Sequence, residues 1–319
     1  MNDFRTLRFL DRFRGVFQKL DIDYDVMRKI LQMKLTLDSR RIPTVLSGSK
    51  VKKDGNHFIK SLWLFVFMGA LFLGPFLFFG DSFLFSLSIM FSSLFVILIT
   101  TMVSDFSAVL LDILDKNILH PKPISSKTLS AAKIIHIMIY MLLLTGAFVI
   151  IPLILSIFRY GVVFALLFLI ETILISSLAV VLTAFVYLFV LRFFDGEKLK
   201  NIINYVQISL AIGMAISYQL VGRVFQIINI DITYNFAWWH TLMPPIWFVA
   251  PFELILNKDF SWDIILLSLL ALAIPILAIV VYIRLMPTFE QNLSKLQSDS
   301  YKTKKKKSEP REVLGNYIM

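Results

Sequence analysis

The chain has 319 residues, of which 57% are hydrophobic and 17% charged, with a mean hydropathy of +0.76 and a net charge of +10. That apolar excess, gathered in blocks of about 20 residues, excludes an ordinary soluble domain, and the low charge excludes a disordered chain. Cysteine is absent, so disulfides, thiolate zinc sites and catalytic thiols are excluded as well.

In chain order, residues 1–57 form a basic region with apolar residues at Phe4, Leu7, Leu10, Phe13, Phe17 and Leu20. Spacings of three and four predict an amphipathic helix, with Arg5, Arg8, Arg12, Arg14 and Lys19 mostly off the stripe. Two placements fit this composition: the inner membrane interface, against anionic lipid, or packing on another protein domain. Residues 58–287 carry six solidly apolar runs, at Ser61–Gly80, Ser82–Ser104, Ile134–Phe158, Tyr160–Leu191, Asn201–Gly222 and Ile264–Ile283. Each reaches the length of a membrane-crossing helix, and none shows the alternation of a barrel strand. The prediction is an all-α integral membrane protein with six transmembrane helices.

The cations set its direction. Fourteen Lys and Arg precede the first run, four lie between the second and third, three between the fourth and fifth, and eight after the sixth. Only Arg159, Arg223 and Lys258 fall on the other side. Clustered cations of this kind report topology rather than nucleic-acid binding, and they place both termini in the cytoplasm of a plasma or inner membrane. Trp63 falls near the inner end of the first run, and Trp238, Trp239, Trp247 and Trp262 on the outer side, where interfacial tryptophans sit. The basic tail at 288–319 adds Lys302 and Lys304–Lys307, a further contact for anionic lipid.

Two connections are too structured for plain loops. Residues 105–133 contain an apolar stripe at Val109, Leu110, Ile113 and Leu114 beside Asp112 and Asp115. Pro121 and Pro123 stop that helix, and Ser125, Ser126 and Thr128 offer caps for the next one. Residues 232–257 are too apolar for a free outer loop and too broken by Pro244, Pro245 and Pro251 for a straight span. A re-entrant helical hairpin before the last span satisfies both constraints.

Asp112, Ile113, Leu114, Asp115, Ile118, Leu119, Pro121, Pro123, Ile124, Ser125, Ser126, Leu129, Ala132 and Lys133 resemble the stretch after the second span in permease subunits of type-2 ABC transporters. The chain departs from that pattern at His120 and Lys122. Pro244, Pro245 and Trp247 resemble the Pro-Pro-x-Trp stretch before the last span of the same group. The resemblance implies the six-helix half of an exporter, with the N-terminal helix as connecting helix. Asp112, Ile113, Leu114, Asp115, Pro121 and Pro123 would lie in the coupling segment that docks on a separate nucleotide-binding ATPase. It also implies a second six-helix half: an identical copy, another permease, or the rest of a longer chain.

No phosphate loop, HExxH or GxSxG motif occurs, so no catalytic, cofactor-binding or metal-ligating residue is assigned. ATP and magnesium would belong to the partner, and nucleic acid is not an expected partner. The four histidines, His57, His120, His136 and His240, lack ligand spacing and read as interface or loop residues. Glu171 is the one acid well inside a run, with Tyr218 and Gln219 at similar depth on the fifth. The three are a candidate substrate path; the plainer reading is a neutral acid hydrogen-bonded between helices. Two other functions compete with an ATP-driven permease: a gradient-driven transporter or channel subunit, and a membrane assembly protein with no transport.

Overall fold

A computed structural model describes residues 4–40, 57–78, 83–110, 124–193 and 237–284, together with Tyr205, Ile208, Ser209, Ile212 and Gly213. All regular structure among these residues is helical. Three helices form the N-terminal unit: α1 (Arg5–Asp11), α2 (Arg14–Lys19) and α3 (Tyr24–Arg40). The bundle follows with α4 (His57–Phe72), α5 (Phe83–Leu110), α6 (Ser126–Tyr160) and α7 (Val162–Phe193). Two short helices, α8 (Pro244–Trp247) and α9 (Ala250–Leu256), precede α10, which runs over Trp262–Arg284.

Among the described residues, four segments are long and apolar enough to cross a membrane: Leu84–Val103, Lys127–Tyr160, Val162–Val186 and Trp262–Arg284. They match the second, third, fourth and sixth predicted spans, and the described residues are those of a helical membrane protein. The first predicted span is shorter than expected as an α-helix. Pro75 has no N–H to continue the ladder, so α4 stops at Phe72 and a 3-10 turn covers Gly74–Leu77. Of the fifth, Asn201–Gly222, only the five named residues are described, each helical.

Local chemistry fixes both ends of α6. Ser125 takes an extended conformation, and its hydroxyl oxygen accepts from the Thr128 amide at 3.2 Å, as the capping residues predicted. At the far end the helix continues two residues past Phe158 and reverses at Gly161, whose φ of +89° suits a residue without a Cβ. The Gly161 amide donates to Ile157 and its carbonyl accepts from Ala165. One residue therefore closes the α6–α7 hairpin.

The closest crossing lies between α4 and α6. Pro152, inside α6, offers no N–H to the Phe148 carbonyl one turn earlier. That carbonyl instead points at Gly69 of α4, where a Cβ would overlap it. A small residue here lets two backbones touch, and a Cα–H···O contact replaces the missing intrahelical bond.

The main core is largely aliphatic and contains an aromatic cluster. Phe91 of α5 packs against Phe168 of α7 at 5.7 Å between ring centres and against Phe252 of α9 at 6.0 Å. Phe164 meets Phe252 at 4.8 Å. The segment that carries α8 and α9 is thus seated on α5 and α7, with Trp247, Phe248, Val249, Ala250 and Phe252 buried. Trp247 is buried, and its indole N–H donates to the Thr241 carbonyl at 3.1 Å. Trp238, Trp239 and Trp262 remain exposed.

Candidate functional site

The buried face of α7 recurs every three or four residues as Phe164, Phe168, Glu171, Thr172, Ile175, Leu178 and Ala179. Glu171 therefore follows the aromatic cluster on the same face, about 14 Å along the helix from Val162. It is 5% exposed, and its Oε2 has no hydrogen-bond partner among the described residues. The neighbouring Thr172 hydroxyl, also buried, has none either. The hydrogen-bonded form of the neutral-acid reading is thus without a donor or acceptor among these residues. Glu253 shows the contrast: it too is buried, but its Oε2 accepts from Asn257 at 2.6 Å. An unpaired carboxyl in an apolar interior is costly to retain, which makes Glu171 the candidate site within the bundle. Tyr218 and Gln219, its predicted companions, lie outside the described residues, as do Asp112, Ile113, Leu114, Asp115, Pro121 and Pro123 of the predicted coupling segment.

A second polar assembly holds the N-terminal unit to the start of α6. Leu7, Tyr24, Met27, Ile30, Leu31 and Ala132 form a small core of their own, separate from the main one. Around it the Asp23 amide donates to the Thr128 hydroxyl at 3.1 Å, and Lys127 reaches Asp21 at 3.4 Å. Asp11 accepts from the Arg28 guanidinium at 2.8 Å and from the Tyr24 hydroxyl at 2.6 Å. The Arg28 hydrogen bond, then that of Tyr24, holds the Asp11 carboxyl below its ordinary range. Burial, then the bond to Asp11, pushes the Tyr24 phenol up.

Deeper in this contact, His136 Nε2 donates to Asp38 Oδ2 at 2.6 Å, joining α6 to α3 across 98 residues of sequence. His136 is 3% exposed, so it is a core residue of this junction and not the interface or loop residue that its position in the sequence implied. The pair was missed although α3 carried its signal. Met27, Ile30, Leu31, Lys34 and Asp38 share one helical face, so Lys34 and Asp38 stand where apolar residues should be. Lys34 is indeed buried.

His240 is also buried. It sits in the Trp238–Leu242 turn, where its Nδ1 accepts from the Ala237 amide at 3.1 Å and its ring meets Trp239 at 3.9 Å. Burial lowers its pKa below the usual histidine value. Among the described residues no three His, Asp or Glu side chains gather as a metal site. No protein family, curated protein or solved structure matches the chain.

Proposed function

We propose that the chain is the membrane permease subunit of an ATP-driven ABC transporter, an exporter by its layout, working with a separate nucleotide-binding ATPase and a second six-helix half in the plasma membrane. Both termini and the 105–133 connection would be cytoplasmic. The observation that carries the reading is the motif from Asp112 to Lys133. Its end, from Ile124 onward, is where the N-terminal helices seat: Ile124, Leu129 and Ala132 pack into their core, and Thr128 bonds the Asp23 amide. A push on the 105–133 connection would therefore reach both α6 and the N-terminal unit. Nucleotide-driven closure of the ATPase would bias the bundle between two states by differential contact at this end.

The test is co-purification with a nucleotide-binding protein, followed by ATPase measurement. Asp112→Lys combined with Asp115→Lys should weaken association or uncouple hydrolysis from transport. Membrane insertion should persist, because added cytoplasmic lysines reinforce the topology. Equal binding and stimulation in wild type and variant would remove these residues from the coupling role. A wild type that binds no such ATPase would end the permease reading.

A gradient-driven transporter is the second reading, and Glu171 favours it, since ion-coupled carriers place ionisable groups in the bundle interior.

A further inference from the structure

The predicted N-terminal stripe divides into two faces in the folded chain. Leu7 is buried and Leu10 and Phe17 are half-buried against the N-terminal core. Phe9, Phe13, Val16 and Leu20 point the other way, at 60%, 44%, 55% and 58% exposure. Their spacings are four, three and four, so they form one helical row. A short turn at Arg12 and Phe13 separates α1 from α2, and Phe13 donates to the Leu10 carbonyl and Val16 to the Phe13 carbonyl across it, so the exposed apolar residues follow on from one helix to the next. Phe9 and Phe13 meet edge to face at 5.5 Å.

Arg5, Arg12 and Lys19 are seven residues apart. On a helical wheel that spacing sets them in a second row directly beside the apolar one. All three are exposed and form no ion pair among the described residues. The acids nearby are engaged elsewhere: Asp11 with Arg28, and Asp21 with Lys127. The opposite face is fixed to the first turns of α6, a membrane-crossing helix, so the exposed row lies at the end of the bundle where that helix begins.

We infer that the Phe9–Phe13–Val16–Leu20 face enters the headgroup and acyl boundary of an anionic leaflet, with Arg5, Arg12 and Lys19 on the lipid phosphates. An apolar row bordered by unpaired cations is the chemistry of a helix lying in an anionic interface. A protein groove would instead select for complementary acids and shape along the row. The inference is independent of the permease reading, since it requires no ATPase.

The test uses the full chain in lipid nanodiscs, with an environment-sensitive fluorophore on Phe13→Cys, the only cysteine in the molecule. Discs are prepared from phosphatidylcholine with and without phosphatidylglycerol. In anionic discs the label should shift to the blue and be quenched by spin-labelled lipid. Arg5→Gln, Arg12→Gln and Lys19→Gln together should lower that partition by roughly a hundredfold, at about fivefold per charge. Raising the salt on the singly labelled chain should reproduce the loss, which keeps the test valid if the triple variant folds poorly. A label that stays water-like in both discs, or quenching indifferent to lipid charge and to salt, would overturn the inference. So would shielding that appears only when a nucleotide-binding protein is added.

Discussion

Gly69 should tolerate no side chain. Alanine there adds one methyl, and the position it would occupy coincides with the Phe148 carbonyl. The obstacle is backbone, so no rotamer change relieves it and α4 must move away from α6. Overpacking of this kind costs about 1–3 kcal/mol, and a clash with main chain belongs at the upper end. The exchange of Gly for Ala in a helix returns about 1 kcal/mol, leaving a net loss of about 1–2 kcal/mol. Gly146, in the middle of α6, supplies the control, because nothing lies within 4 Å of its added Cβ. Gly146→Ala should therefore be neutral or stabilising by up to about 1 kcal/mol. Denaturant or thermal unfolding of the detergent-solubilised proteins would give the difference, about 1–3 kcal/mol between the two variants on these figures. Equal stability of Gly69→Ala and Gly146→Ala would refute the close crossing and the role given to Pro152 in freeing the Phe148 carbonyl.

Two further outcomes follow from the buried ionisable groups. Glu171→Gln should fold and assemble as wild type, and Glu171→Met should be at least as stable, because each replaces a carboxyl that bonds nothing among the described residues; we expect transport to survive the Gln change, and a folded variant that no longer transports would put Glu171 on the substrate path. His240 has a folded pKa below its unfolded value of 6.5, so the unfolded chain binds the extra proton and stability is lost as pH falls through that value. Protonated Nδ1 can no longer accept from the Ala237 amide. Protection of the Trp238–Leu242 turn against hydrogen exchange, corrected for the intrinsic pH dependence of amide exchange, should fall between pH 7.5 and 5.5, values on either side of about 6.5, and His240→Gln should abolish that fall; protection that is the same at both pH values in the wild type would refute it.

Periodicity and capping read directly from the sequence where a signal depends on neighbours along the chain. The apolar runs of α5, α6, α7 and α10 needed no partner to declare themselves, since length and hydropathy decide whether a helix can cross hydrocarbon. Ser125 announced the start of α6 for the same reason: a cap bonds its own chain three residues on. Glu171 stood out as an acid among apolar residues, but that its Oε2 bonds nothing among the described residues is a statement about what lies opposite. Sequence spacing showed that residues 4–20 were amphipathic, yet it merged two apolar rows into one, because which row turns inward depends on α3 and the start of α6. The burial of Trp247, and the bond from its indole N–H to the Thr241 carbonyl, come from how the 237–257 segment folds against its neighbours. Gly69 carried no mark of its own; its meaning comes from a carbonyl 79 residues away, freed by a proline in another helix. The bond of His136 to Asp38 is likewise a fact about two helices, and neither residue alone discloses it. Local propensity and hydropathy sum over consecutive residues, whereas burial, close approach and polar pairing are decided by which surfaces meet, and that only the tertiary fold determines.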